Sequence, residues 1–267
     1  MIGLTIRALV PRPLAAIGRR LPRGWTDLLL QFGLFFLAYQ GYQLVRGLID
    51  GKSDLAFANA ERIVDLEKSL GSFFEPGLQQ DALRHDWIID VANWLYVNSH
   101  FTITICFLAW LYLFRNDNFY FVRNMFMVAM AIALVGYAFY PTAPPRMLTD
   151  QGFTDTLATF TSVEQDSNAV SLLVNKYAAV PSMHIGFSSM IAGTAVMLVR
   201  NPVGRVLWSL YPVLVFGVIV VTANHYWFDA FAGLLVAAAS ALIASRVLAP
   251  VRPEQWSFRG APEEATA

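Results

Sequence analysis

Two histidines, an aspartate and an arginine in this 267-residue chain have the types and placement to move a phosphoryl group. His225 and Asp229 stand at i and i+4 in His225-Tyr226-Trp227-Phe228-Asp229, so on a helix the carboxylate lies one turn from the imidazole on the same face. A carboxylate accepting the Nδ1 hydrogen of His225 would set its tautomer and leave Nε2 as a nucleophile. The same spacing also suits a satisfied buried pair that does no chemistry. His184, in Pro181-Ser182-Met183-His184, is placed to protonate a departing oxygen. Arg146 follows Tyr140-Pro141-Thr142-Ala143-Pro144-Pro145, and a guanidinium held by a stiff proline turn offers planar donors and a permanent charge to a phosphate. The alternative is an interfacial arginine reaching toward headgroups. Ser182 adds a donor near a helix N-terminus, where anions are favoured, or is an ordinary N-cap. Asn93, Tyr96 and His100 share one helical face and form a candidate headgroup pocket, although hydrogen bonding between helices would use the same residues.

The elements that must position these groups are membrane helices. Hydrophobic residues make up 56% of the chain and charged residues only 14%, against roughly 25% charged in an ordinary soluble domain. Apolar segments at approximately 27–48, 88–114, 119–140, 183–199, 205–223 and 227–248 are each near the ~20 residues that cross the hydrocarbon as a helix. The expected fold is therefore all-α, a polytopic bundle of six transmembrane helices over 27–248. A basic tail (1–26) precedes it and a second tail (249–267) follows. Between the first two spans, Phe57, Ile63, Val64, Leu66 and Leu70 recur at helical spacing, which predicts an amphipathic surface helix within an outer segment at 55–85. The segment 141–180 is the second long outer loop.

The tails and short loops carry 12 of the basic residues and the two long loops 7, which predicts cytoplasmic termini and a site on the outer side. Arg115 and Arg123 read as topology determinants and His85 as an exposed interfacial residue. On this topology, His184, His225 and Arg146 meet at one face. The single Cys106 lies in an apolar run with no partner at metal-binding spacing, so neither a disulfide, a metal nor a cofactor is expected. Zero net charge and the lack of a basic-aromatic patch argue against nucleic acid as a partner, leaving the bilayer and its lipids. Arginines outnumber lysines sixteen to three, as in proteins from GC-rich bacteria, which points to a bacterial plasma membrane.

Together, Tyr96 with His100, the stretch YPTAPPRM at 140–147, PSMH at 181–184 and HYWFDAFAG at 225–233 resemble the type 2 phosphatidic acid phosphatase superfamily, particularly its inositolphosphotransferase (inositol phosphorylceramide synthase-like) branch. The resemblance covers roughly 55–248. It implies His225 as a nucleophile forming a phosphohistidine, Asp229 as its orienter, His184 as general acid and then base, and Arg146 as a phosphate ligand. It implies no metal, and a lipid phosphate as substrate. Phe139 stands where the wider superfamily has a lysine, and Val218-Ile219 where it has Ser-Arg, so two cationic ligands are missing; His100 and Lys176 are candidates to replace them. Met183 replaces a common glycine. Those losses leave a second expectation open, a non-catalytic lipid transporter or scaffold that keeps the fold.

Overall fold

The computed structural model describes residues 18, 20–161 and 176–260, and all regular structure among them is helical. The arginines at 7, 12 and 19 and the middle of the 141–180 loop lie outside the described residues. In chain order the helices are α1 (Gly24–Ile49), α2 (Ser53–Ser69), α3 (Glu75–Leu83), α4 (Asp86–Trp94), α5 (His100–Phe114), α6 (Asn116–Phe139), α7 (Thr156–Thr161), α8 (Met183–Leu198), α9 (Pro202–Val221), α10 (Trp227–Ile243) and α11 (Pro253–Trp256). A π-helical turn, Leu95–Ser99, joins α4 to α5, so the two run as one span.

Among the described residues, five helices are long and apolar enough to cross a membrane: Gly24–Ile49, Asp86–Phe114, Asn116–Phe139, Pro202–Val221 and Trp227–Val251. The chain is an integral membrane protein of the all-helical kind. The fourth of the six expected segments is the shorter apolar helix α8, which has only 16 residues. At 1.5 Å per residue it covers about 24 Å, short of the ~30 Å hydrocarbon layer. Its N-terminus begins at a turn, Pro181-Ser182, that is itself buried in the bundle. Helix rise has been exchanged for a loop that carries polar groups into the protein, which membrane proteins tolerate only where protein covers the loop.

The hydrophobic pattern explains each helix's place. α1 is mostly apolar, and Leu29, Phe32, Phe35, Phe36 and Leu37 are more than half exposed, as suits a helix solvated by lipid. α6 is the central post, packing against α1, α5, α8, α10 and α11. Its Val122, Met125, Phe126, Ala129 and Ala133 share a core with Leu111, Ile191, Ala195, Val236 and Ala237. At one end of α6, Asp27 of α1 accepts hydrogen bonds from Tyr112 (3.0 Å) and Tyr120 (2.8 Å), while Arg123 donates to Gln31 (2.9 Å). A partly buried acid in a membrane helix needs such donors. Arg123 is thus a structural link between α1 and α6 as well as a basic flank.

At the other end of α6, α2 lies as a roof. Ala56, Ala60, Ile63 and Val64 on its inner face pack with Ala143, Leu148, Phe153, Ala223 and Tyr226. This is the predicted amphipathic helix, spanning Ser53–Ser69, and its apolar face covers protein.

Candidate active site

Three connections converge beneath that roof: the turn after α6, the segment entering α8, and the turn between α9 and α10. Backbone hydrogen bonds join them. Thr142 N–H donates to Tyr177 O (2.9 Å), Arg146 N–H to Ala223 O (2.8 Å), Ser182 N–H to Asp229 O (3.0 Å), and Ala143 N–H to Ala56 O of α2 (3.1 Å). Ala223 has φ 49°, in the left-handed region that a side chain with a Cβ rarely adopts. Strained backbone persists where its surroundings over-determine it, and here it ends α9 two residues before His225.

His225 Nδ1 lies 3.0 Å from Ala179 O and 3.3 Å from Asp229 Oδ2. Both are acceptors, so Nδ1 carries the hydrogen and shares it between them. Nε2 of His225 is then the lone-pair nitrogen, and it sits 3.2 Å from His184 Nδ1. His184 must supply the hydrogen in that contact, so its Nδ1 is protonated. This tautomer assignment follows from the network of acceptors. Asp229 is 0% exposed, and its Oδ2 also accepts from Tyr226 N–H (3.1 Å), fixing the carboxylate at the start of α10. The i,i+4 spacing read from the sequence therefore does bring Asp229 to His225.

Arg146 sits in a 3₁₀ turn, Pro145–Met147, and is buried. Its Nη1 donates to Asn224 Oδ1, its Nε lies 3.8 Å from Asp155 Oδ2, and that Nε has no hydrogen-bond acceptor. A buried guanidinium with an unspent donor is suited to an anion. Ser182 caps α8 without a side-chain hydrogen bond to its first turn; its Oγ is buried and unpartnered, so the hydroxyl is spare.

The polar stripe divides. Tyr96 and His100 reach His184, with ring centroids 4.7 and 4.3 Å away, and His100 also stacks on Phe187. The intervening π-helical turn sets their register, and such turns recur at functional sites. The His100 Nδ1 is buried with no partner. Asn93 instead exchanges hydrogen bonds with Thr156, so its amide anchors α7 of the long loop. A cavity of about 90 Å³ opens beside His100 and His184, lined also by Tyr96, Ser99 and Tyr211. At the positions where cations are missing, Phe139 is 83% exposed, and Val218 and Ile219 are buried among apolar side chains.

Residues missed from the sequence complete the site. Asn224 holds Arg146, and Tyr137 donates to Pro181 O (3.0 Å), steadying the entry to α8. Glu67 of α2 and Glu75 of α3, both fully buried, accept the backbone N–H groups of Phe228 (3.2 Å) and Trp227 (2.9 Å). Glu67 falls four positions after Ile63 and three after Val64, on the buried face of an amphipathic helix, and an acid there was the available signal. Burial first, and then the nearby charge of Glu75, push the Glu67 carboxyl up to about 9. No group of three or more metal-ligating side chains occurs among the described residues.

The model of the PAP2 superfamily matches residues 61–243, more than half of the chain and all of the connections just described. No curated protein and no solved structure matches it.

Proposed function

The chain belongs to the PAP2 superfamily, whose members are generally phosphatases acting on phosphate esters, and from that premise we propose a metal-independent lipid phosphatase or phosphotransferase working through a phosphohistidine on His225. The observation that carries the reading is the ordered contact Asp229–His225–His184, with distances of 3.3 and 3.2 Å, beside a buried arginine with a spare donor.

In this scheme Arg146 and Ser182 bind the phosphate oxygens. The phosphate enters between the two histidines and replaces their mutual contact, freeing the Nε2 lone pair. His225 Nε2 then forms a bond to phosphorus as the bond to the lipid oxygen breaks, and His184, protonated beside the anionic substrate, gives that oxygen a proton. In the second half His184 takes a proton from water or an alcohol, whose oxygen displaces His225 from phosphorus. Asp229 holds the Nδ1 hydrogen and offsets the positive charge on the imidazole. Histidine and arginine thus supply nucleophile, proton carrier and charge, and no step calls for a metal.

Acceptance by an alcohol, including transfer of an inositol-phosphate headgroup, is the finer reading. It is supported by the small, mostly apolar cavity that Tyr96, His100 and Tyr211 form against His184, where an acceptor hydroxyl would lie next to the base. The test is product analysis with purified protein in detergent, a labelled phospholipid and EDTA, with and without myo-inositol or a lipid alcohol, beside His225→Ala. Free phosphate that needs His225 supports the phosphatase; a new phosphodiester that needs it supports the transferase. Loss of activity in EDTA, restored by a divalent ion, overturns the metal-independent scheme. A lack of any His225-dependent product across a lipid panel favours the non-catalytic transporter or scaffold.

A further inference from the structure

The last span begins one residue after Tyr226 with its backbone N–H groups pointing into buried protein, where an unpaired donor is costly. Three carboxyls take them: Asp229 takes Tyr226, Glu75 takes Trp227, and Glu67 takes Phe228. Only the first is local. The other two come from α2 and α3, more than 150 positions earlier in the chain. Each uses one oxygen, Oε1, for this purpose. The remaining oxygens, Glu67 Oε2 and Glu75 Oε2, are buried with no hydrogen-bond donor among the described residues, and because their Oε1 atoms hold consecutive N–H groups the two carboxyls lie side by side. Two buried carboxylates in contact cannot both be ionised, and a single proton between them satisfies both orphaned oxygens.

We propose that Glu67 and Glu75 are positioning residues of the active site: sharing one proton, they clamp the first turn of α10 and thereby hold His225 against His184. This rests on the reading of His225 as the reactive group. The charged groups acting on Glu67 are Glu75 from α3 and Asp229 from α10, both acidic, with the Tyr226 hydroxyl nearby and also raised by burial and by these carboxylates. Removing the shared proton therefore sets negative charges against one another, and the clamp opens. A helix N-terminus favours a negative charge, which makes one ionised carboxylate welcome there and a second one repulsive.

The test combines an activity-independent readout with kinetics. Hydrogen exchange by mass spectrometry is followed over the peptide containing residues 222–230, in wild type, Glu67→Ala, Glu75→Ala and Glu67→Gln. Both alanine variants should exchange there at least ~10-fold faster, with exchange along α6 unchanged, whereas Glu67→Gln, which keeps the acceptor oxygen, should stay near wild type. In lipid phosphate turnover the alanine variants should lose kcat by about 10-fold or more at neutral pH with KM altered far less, the pattern of a displaced reactive group. Glu67→Gln should also keep its activity at alkaline pH, where wild type falls as the shared proton is lost. Unchanged exchange at 222–230 in the alanine variants overturns the clamp whether or not the protein proves to be an enzyme. Equal alkaline loss in wild type and Glu67→Gln overturns the shared proton. If exchange responds as expected but wild type gives no His225-dependent product, the clamp stands and the catalytic reading fails.

Discussion

At His225, two acceptors compete for one hydrogen, and their geometry decides the chemistry of the other ring nitrogen. Because Ala179 O and Asp229 Oδ2 both face Nδ1, the lone pair is forced to Nε2, where His184 waits. His225→Ala should therefore remove product formation by at least ~10³-fold in detergent assays, since a nucleophile has no partial substitute. Arg146 makes a subtler case. Its charge would survive in Arg146→Lys, but the planar fork that spans Asn224 and the site would not. That variant should lose kcat/KM by about 100-fold, and Asn224→Ala, which releases the guanidinium without deleting it, by about 10-fold. Equal effects of the two changes in steady-state kinetics would mean that Asn224 serves something other than Arg146.

Between elements, closeness of backbones is the governing feature. A Cβ added to Gly233 of α10 would run into the Ser182 carbonyl oxygen, and one added to Gly136 of α6 would stand 2.9 Å from Pro181 Cδ. Helices α6 and α10 thus approach the turn entering α8 more nearly than any side chain permits. Backbone cannot swing aside as a side chain can, so Gly233→Ala should destabilise the protein by about 3 kcal/mol, at the upper end of overpacking costs. Gly193, on the same bundle's α8, has open space where its Cβ would be. Gly193→Ala should be neutral or stabilising by up to about 1 kcal/mol, from helix propensity. Thermal melting of the two variants in one detergent compares them; similar melting temperatures would refute the close approach at Ser182.

Across the whole molecule, the bundle and its roof are linked by ionisation. Glu67 has a folded-state value near 9, well above its ordinary value of 4.5. The folded protein consequently holds a proton that the unfolded chain gives up. The stability contributed by that proton is full below about pH 4.5 and declines as pH rises through about 9. Wild type should therefore melt at lower temperature as pH is raised from 7 to beyond 9, and Glu67→Gln should show a flatter dependence over that interval. Parallel curves would assign the alkaline loss to other groups.

Much of this molecule was legible without coordinates, and particular residues mark where that ended. Apolar runs of spanning length announced the membrane helices, because a backbone in hydrocarbon has few ways to satisfy itself. The i,i+4 pair His225 and Asp229 was readable because one helical turn is a local fact, and the periodicity of Ile63, Val64 and Leu66 likewise announced α2. Tertiary structure decided the rest. It shortened α8, whose N-terminus is a turn covered by its neighbours; it gave Asn93 to Thr156 while leaving Tyr96 and His100 on His184. Most of all, it took Glu67 and Glu75 from a polar connection and set them on the last span. No spacing along the chain encodes a hydrogen bond across 150 residues; only packing the roof onto the bundle brings those oxygens to the N–H groups of Trp227 and Phe228.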